Sequence, residues 1–292
     1  MVKLDIKTLE RYSGVKAHTI RAWEQRFKVF EPSRTAGNRR FYNSGDLRIL
    51  LDFSILNRYG TPISKLLQLS KAEIECRISQ LRTTAAGKDV YLNQLIVNFV
   101  DSEIMAFDSV LTHYSALRGP HECVTDLIMP FLEDTGLFYY INQDSSTHFV
   151  VTSIRKKLHF ASDSLIPNHK QRLTVVLFLP ANQHFDLLLL YISYLLQADG
   201  YNVLYLGTNV SVDILRNVVE RYEPDLLISY LVPTGKSHPD DVKNLTAIAK
   251  FSDNLLVCTA DELQRNPEGL TTVSYCKIVS YMKSCVSVKQ LS

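Results

Sequence analysis

The chain has 292 residues, 46% of them apolar, and a formal net charge of +2, which is the composition of a folded globular protein. No run of about 18 apolar residues is free of charge, so membrane-spanning functions are not expected. The five cysteines contain no C-x-x-C pair, which argues against a cysteine-bound zinc and favours reduced thiols in the cytoplasm.

Positive charge is concentrated at the N-terminal end of the chain. Residues 1–70 contain 13 Lys and Arg against 6 Asp and Glu, whereas the remaining residues contain 19 against 24. A basic N-terminal region followed by a mildly acidic remainder is expected when only the N-terminal region contacts phosphate. The charge distribution therefore predicts a nucleic-acid interface within the first 70 residues.

Apolar spacing predicts a helix near the start of this basic region. Ile20, Trp23 and Phe27 recur at i, i+3 and i+7 and form one apolar face. The opposite face is polar, and its members are His18, Arg21 and Gln25, with Arg26 beside them. Pro32 is expected to end the helix, because the residue before a proline is pushed out of the helical region.

A short basic hairpin is predicted after this helix. Its turn is the small, flexible segment 36–38, and its charged residues are Arg34, Arg39 and Arg40, followed by Tyr42. A basic helix followed by a basic hairpin suits double-stranded DNA, because the helix can fill a major groove while the arginines reach phosphates. The alternative is a solvated charged helix on an ordinary globular protein.

The residues from 46 to 170 have the spacing of helices. Asp46 is predicted to begin one helix, Gly60-Thr61-Pro62 to break it, and Ile63 to Ile74 to form another. From Lys71 to Lys170 the apolar residues keep helical spacing, which predicts a bundle of about four helices. Residues 162–170 are expected to link this bundle to the next domain.

From residue 171 the pattern changes to alternating strands and helices. The predicted strands are Leu173–Leu179, Asn202–Leu206, Asp225–Leu231 and Asn254–Cys258, and the predicted helices are His184–Gln197, Val212–Tyr222 and Asp240–Phe251. This order implies a doubly wound parallel sheet, whose ligands bind at the carboxyl ends of the strands. The predicted fold class is α + α/β multidomain, with a winged helix-turn-helix at 1–75, a helical bundle at 76–166 and a Rossmann-like domain at 167–292.

The first 70 residues resemble the winged helix-turn-helix of the MerR-type transcription regulators. The matching segments are Leu9–Val15, Thr19–Phe27, Pro32–Thr35, Arg39–Tyr42 and Asp46-Leu47. The Arg-x-Trp-Glu-x-Arg form is similar to one branch of that family, the light- and cobalamin-responsive repressors of carotenoid synthesis.

The resemblance implies a cytoplasmic regulator, not an enzyme, that binds a pseudo-palindromic operator in double-stranded DNA as a homodimer or tetramer. It assigns base contacts to His18, Arg21 and Gln25. It assigns phosphate contacts to Arg26, Arg34, Arg39 and Arg40, with Tyr42 in the same surface.

The same branch carries a cobalamin-binding region, and the C-terminal half of this chain is similar to it in part. The loop 181–187 lies where such domains have D-x-H-x-x-G, so the resemblance makes His184 the lower axial ligand of cobalt and Asn182 the residue that orients it. Other residues at positions expected to meet the cofactor are Gly207, Ser229 and Leu231 in the sheet domain, and Tyr139 and His148 in the bundle.

Three departures from that pattern leave two interpretations open. Asn182 replaces the aspartate, Leu187 replaces the glycine, and residues 259–262 have no glycine pair. In the first interpretation the C-terminal half is a cobalamin-binding sensory and oligomerisation module. In the second, the same DNA-binding regulator carries a degenerate, cobalamin-independent module that senses another small ligand or only dimerises.

Overall fold

The structure is a computed structural model, and it describes residues 3–30, 32–34, 38–137, 145–166, 173–230, 239–252, 254–259, 270–274 and 277–282. The chain divides into two compact units, one of residues 1–137 and 141–153 and the other of residues 138–140 and 154–292. The domain boundaries expected at residues 75 and 166 remain predictions. No helix among the described residues is long and apolar enough to cross a membrane.

The first unit begins with two short helices and a two-stranded wing. These elements are α1 (Ile6–Ser13), α2 (Ala17–Phe27), β1 (Ser33–Arg34) and β2 (Arg40–Phe41), with β1 and β2 antiparallel. The Asp5 carboxylate accepts a hydrogen bond from the Thr8 amide at 2.8 Å, and Gly14 takes a left-handed φ of +67° between the helices. The antiparallel pairing of β1 and β2 confirms the predicted hairpin.

The prediction that Pro32 ends α2 is wrong. The helix stops four residues earlier, where Lys28 adopts a left-handed φ of 49° and its backbone N–H donates to the carbonyl of Glu24. A C-terminal residue in this conformation closes the last turn by itself, so the proline only follows a helix that has already ended.

Two helices begin at residues other than those predicted, because capping boxes set their first residues. Helix α3 (Ser44–Arg58) starts at Ser44 because Asn43 is its cap and Asp46 is the third helical residue, which bonds back to the Asn43 amide. The single helix predicted from Ile63 to Ile74 is two helices, α4 (Ile63–Leu66) and α5 (Lys71–Leu81). Ser70 and Glu73 form a second capping box there, which starts a new helix.

The rest of the first unit is helical, as predicted. Its elements are α6 (Gly87–Val100), α7 (Ile104–Arg118), α8 (Pro120–Glu122), a π-helical segment (Cys123–Ile128) and α9 (Met129–Thr135). Phe131 lies at the centre of the core, with its ring 5.6 Å from that of Phe99 and 5.1 Å from that of Phe107. Helix α10 (Ser145–Asp163) contributes residues to both units.

The second unit contains the predicted parallel sheet. Its strands are β3 (Thr174–Pro180), β4 (Asn202–Val210), β5 (Leu226–Tyr230), β6 (Leu255–Thr259) and β7 (Thr271–Ser274), in the order β4-β3-β5-β6-β7. Its helices are α11 (Leu187–Ala198), α12 (Val212–Tyr222) and α13 (Pro239–Ala249). Residues 175–179 are fully buried, as expected for a strand covered on both faces.

Two boundaries in the second unit differ from prediction by more than two residues, and one strand was not predicted. Helix α11 starts at Leu187 rather than His184, so residues 181–186 form a loop. Strand β4 continues through Gly207 to Val210, because it stays paired with β3 up to Pro180. Strand β7 is short and not continuously apolar, so it carries little pattern, and it forms by pairing with β6.

The strand order places a binding crevice in the second unit. Strand β3 lies between β4 and β5 in the sheet. The chain therefore adds β4 on one side of β3 and then returns to add β5 on the other side. In open α/β sheets, ligands bind at the carboxyl ends of the strands beside that reversal. The loop 181–186 leaves the carboxyl end of β3 at this point.

Candidate DNA-binding surface and candidate ligand loop

Helix α2 separates an apolar face from a polar face. Ile20 is fully buried and Trp23 is 9% exposed, so this side of the helix packs into the domain. The exposed residues on the other side are His18, Arg21, Gln25 and Arg26. The structure thus leaves the predicted base-reading residues open to solvent, while their individual contacts to DNA stay predictions.

The wing adds exposed positive charge beside this surface. Arg34 and Arg39 are both exposed, and the Arg34 guanidinium donates to the side-chain oxygen of Asn38 at 2.6 Å. Asn38 has a left-handed φ of 58°, a conformation that asparagine tolerates well. The neutral partner leaves the charge of Arg34 uncompensated by this contact.

The other two predicted wing residues turn inward and bind Glu24. Arg40 donates through Nε to one Glu24 carboxylate oxygen at 2.9 Å, and the Tyr42 hydroxyl donates to the other at 3.1 Å. Tyr42 is only 1% exposed, and burial together with Glu24 raises the pKa of its hydroxyl to about 12. The prediction that the Tyr42 side chain contacts DNA is therefore wrong, because that side chain joins the wing to α2.

The loop that carries His184 is bonded to the end of β4. The Asn182 amide donates to the side-chain oxygen of Asn209 at 3.0 Å, and the Asn209 amide donates to the Gln183 carbonyl at the same distance. Asn182 and Asn209 both have left-handed φ angles, of 70° and 58°. The loop therefore has a defined path, and it leaves the His184 side chain exposed.

Asp186 holds the other end of this loop, a role that no sequence pattern indicates. Its carboxylate accepts two hydrogen bonds from Arg155, at 2.7 and 3.0 Å, and one from the Tyr205 hydroxyl at 3.3 Å. Burial and the neighbouring Asp186 charge raise the pKa of Tyr205. The Tyr230 hydroxyl donates to the Phe185 carbonyl, so the loop is held to β5 as well.

The remaining residues that were predicted to contact the cofactor lie in different elements of the structure or outside the described residues. Gly207 lies inside β4 with a left-handed φ of 81°, and Ser229 is fully buried in β5 with no hydrogen-bond partner for its hydroxyl among the described residues. His148 is exposed on α10, in the other unit. Tyr139, Leu231 and the segment 260–262 lie outside the described residues.

The first 70 residues match a known family. The model of the MerR HTH family regulatory proteins matches residues 4–69, which contain α1, α2, the wing and α3. The N-terminal domain is a MerR-family helix-turn-helix domain. The exposed face of α2 and the wing are thus parts of a MerR-type domain.

Two curated relatives are similar over most of the chain. The HTH-type transcriptional repressor CarA of Myxococcus xanthus is 22% identical over 229 residues, which are 77% of this chain and 75% of that repressor. The HTH-type transcriptional repressor CarH of the same organism is 24% identical over 227 residues, 74% of each chain. The similarity therefore extends well beyond the MerR-type domain.

A solved structure shares the fold of about two thirds of the chain. The monomethylamine corrinoid protein of Methanosarcina barkeri is 12% identical, with a TM-score of 0.52, over 68% of this chain and 98% of that one. At this identity the likeness shows the fold alone. The predicted combination of a winged helix-turn-helix, a helical bundle and a cobalamin-binding-type sheet domain is confirmed.

Proposed function

We propose that this protein regulates transcription by placing α2 in the major groove of an operator and the wing on a neighbouring phosphate backbone. The observation that carries the proposal is the exposed polar face of α2 beside the exposed arginines of the wing. His18, Arg21 and Gln25 face the bases, whereas Arg26, Arg34 and Arg39 meet phosphates. Arg40 instead fixes the wing to α2 through Glu24.

Oligomerisation belongs to the same proposal. A helix-turn-helix protein that reads a pseudo-palindrome presents two recognition helices about one helical turn of DNA apart, which requires two copies of the chain. A role on chromosomal DNA places the protein in the cytoplasm, and we assign it no catalytic activity.

Replacing Arg39 by alanine should weaken binding to every DNA sequence by a similar factor. Loss of one phosphate contact in each of two copies should lower the magnitude of the slope of log K against log salt by about 1.8. The measurement is fluorescence polarisation of a labelled duplex at four or more salt concentrations. Lys71→Ala is the matched control, since Lys71 is an exposed cation outside the proposed surface, and its slope should not change.

We also propose that the second unit binds a corrinoid at the carboxyl ends of β3 and β5. His184 presents an exposed imidazole there, and an imidazole nitrogen is a good donor to cobalt. The buried hydroxyl of Ser229 on the adjacent strand lacks a partner among the described residues, and a buried polar group of this kind is commonly satisfied by a ligand or water. These two residues suit the group, and Asp186 and Tyr230 hold the loop that presents His184.

The test measures whether the protein retains the visible absorption of a bound corrinoid. Purified protein incubated with methylcobalamin in the dark and then desalted should keep the corrinoid absorption, and His184→Ala should lose most of it. His159→Ala is the control, because His159 is also exposed but lies on α10. If the unchanged protein keeps no corrinoid, the cobalamin-independent interpretation replaces this one, and the DNA-binding proposal stands separately.

A further inference from the structure

The first unit contains a cavity of about 470 Å³ that the proposed function does not use. Its walls are α3 from the MerR-type domain, α5, α6 and α7. Buried apolar side chains form its floor, among them Leu51, Ile55, Val90 and Val97. Small-molecule sites commonly have volumes of about 300–1,000 Å³ and combine apolar side chains with a few polar groups, and the lining of this cavity contains both.

One wall of the cavity is only lightly attached to the rest of the unit. Helix α5 has no buried residue, although it contributes Glu75, Ile78, Ser79 and Arg82 to the lining. A helix without buried side chains gains little free energy from packing, because burial of apolar area is the main stabilising contribution. A ligand in the cavity would add apolar contacts to α5, whose apolar side chains are at most partly buried.

Asp52 places a carboxylate in this cavity, beside its apolar floor, and forms no salt bridge among the described residues. The two arginines of the lining have other partners: Arg48 lies 3.6 Å from Asp101, and the Arg82 guanidinium lies 5.8 Å from the centre of the Tyr91 ring. A carboxylate of this kind is costly unless a positive charge or hydrogen bonds compensate it.

Burial raises the pKa of Asp52 to about 6, with Arg48 opposing the shift and Glu75 adding to it. The group is therefore mostly ionised at pH 7.5, so the cavity presents a negative charge to whatever enters it. Helices α6 and α7 contribute only uncharged residues to the lining, which leaves Arg48, Glu75 and Arg82 as the other charged groups.

We propose that the cavity binds a small protonated amine with an apolar body, whose ammonium group pairs with Asp52 and whose body contacts the apolar floor. The charge of the site selects a cation, and its floor selects an apolar one. Because α3 belongs to the MerR-type domain, the bound amine connects that domain to α5 and the bundle helices. The site is independent of the loop that carries His184, which lies in the other unit.

The test uses the full chain and 4-phenylbutylamine as the probe in isothermal titration calorimetry at pH 7.5. We expect saturable binding of one molecule per chain, and binding at least tenfold weaker for 4-phenylbutan-1-ol, which has the same body without the charge. Asp52→Asn should weaken amine binding at least tenfold. Glu122→Gln, which removes an exposed carboxylate outside the cavity lining, should change it less than threefold.

Two further measurements separate a charged site from a general apolar one. Amine binding should weaken as the pH falls from 7.5 to 5, because Asp52 becomes protonated, and this dependence should vanish in Asp52→Asn. Ser109→Phe, which fills the cavity from α7, should abolish binding while circular dichroism shows an unchanged helix content. Absence of saturable binding, equal affinity for the alcohol, or unaltered binding in either variant would overturn the proposal.

Discussion

Replacing Trp23 by alanine should lower the free energy of unfolding of the first unit by about 3–5 kcal/mol and remove DNA binding at 37 °C. The Trp23 side chain is 9% exposed and shares the inner face of α2 with the fully buried Ile20. Truncation loses the burial of a large aromatic group and leaves a cavity beneath the recognition helix. A domain is typically stable by about 5–15 kcal/mol, so this loss is a large fraction of the total. Urea unfolding followed by circular dichroism measures it.

Gln25→Ala is the control for this experiment, because Gln25 lies on the same helix but on its exposed face. Its free energy of unfolding should stay within about 0.5 kcal/mol of the original protein. Its DNA preference should nevertheless weaken, since the account places Gln25 at the bases. A Trp23→Ala protein as stable as the original would show that this helix face does not hold the domain together.

Replacing Asp186 by alanine should lower the free energy of unfolding of the second unit by about 3 kcal/mol. The substitution leaves the Arg155 guanidinium, which is 33% exposed, without its carboxylate, and it removes the acceptor of the Tyr205 hydroxyl. A partly buried charge left without a partner costs more than the original pair contributed. Chemical denaturation followed by circular dichroism measures it, and the fluorescence of Trp23, the single tryptophan of the chain, follows the first unit separately.

Two further variants test whether the lost contacts of Asp186 cause the expected loss of stability. Asp186→Asn keeps an acceptor for Tyr205 but loses the charge, so its effect should lie between those of the original protein and of Asp186→Ala. Glu220→Ala removes an exposed carboxylate from α12 and should change the free energy of unfolding by less than about 0.5 kcal/mol. Equal stability of Asp186→Ala and the original protein would mean that the contacts of Asp186 contribute nothing to the fold.

The elements that the sequence predicts well are those whose pattern is local and long. The spacing of Ile20 and Trp23 identifies the inner face of α2, and helix α12 has the predicted bounds, Val212–Tyr222. The continuous apolar run before residue 180 identifies β3 as a strand buried on both faces. In each case a period or a run extends over enough residues to outweigh local propensity.

The contacts that organise both candidate sites join residues far apart in the chain, and no spacing rule relates them. Glu24 binds Arg40 and Tyr42, which are 16 and 18 residues away, and Asp186 binds Arg155 across 31 residues. Helix ends were missed for a different reason. The left-handed Lys28 and the capping box of Ser70 and Glu73 involve only one or two residues, and they stop or start a helix inside an otherwise continuous pattern.

The central claim is that the exposed face of α2 and the wing bind duplex DNA through their positive charge. It is tested most directly by polarisation titrations of the full chain on a labelled duplex between about 0.05 and 0.3 M salt. The account predicts tight binding at low salt and a linear fall of log K with log salt, steeper than about −3 if each of two copies contributes at least two phosphate contacts. No binding at the lowest salt, or an affinity that salt does not change, would contradict it.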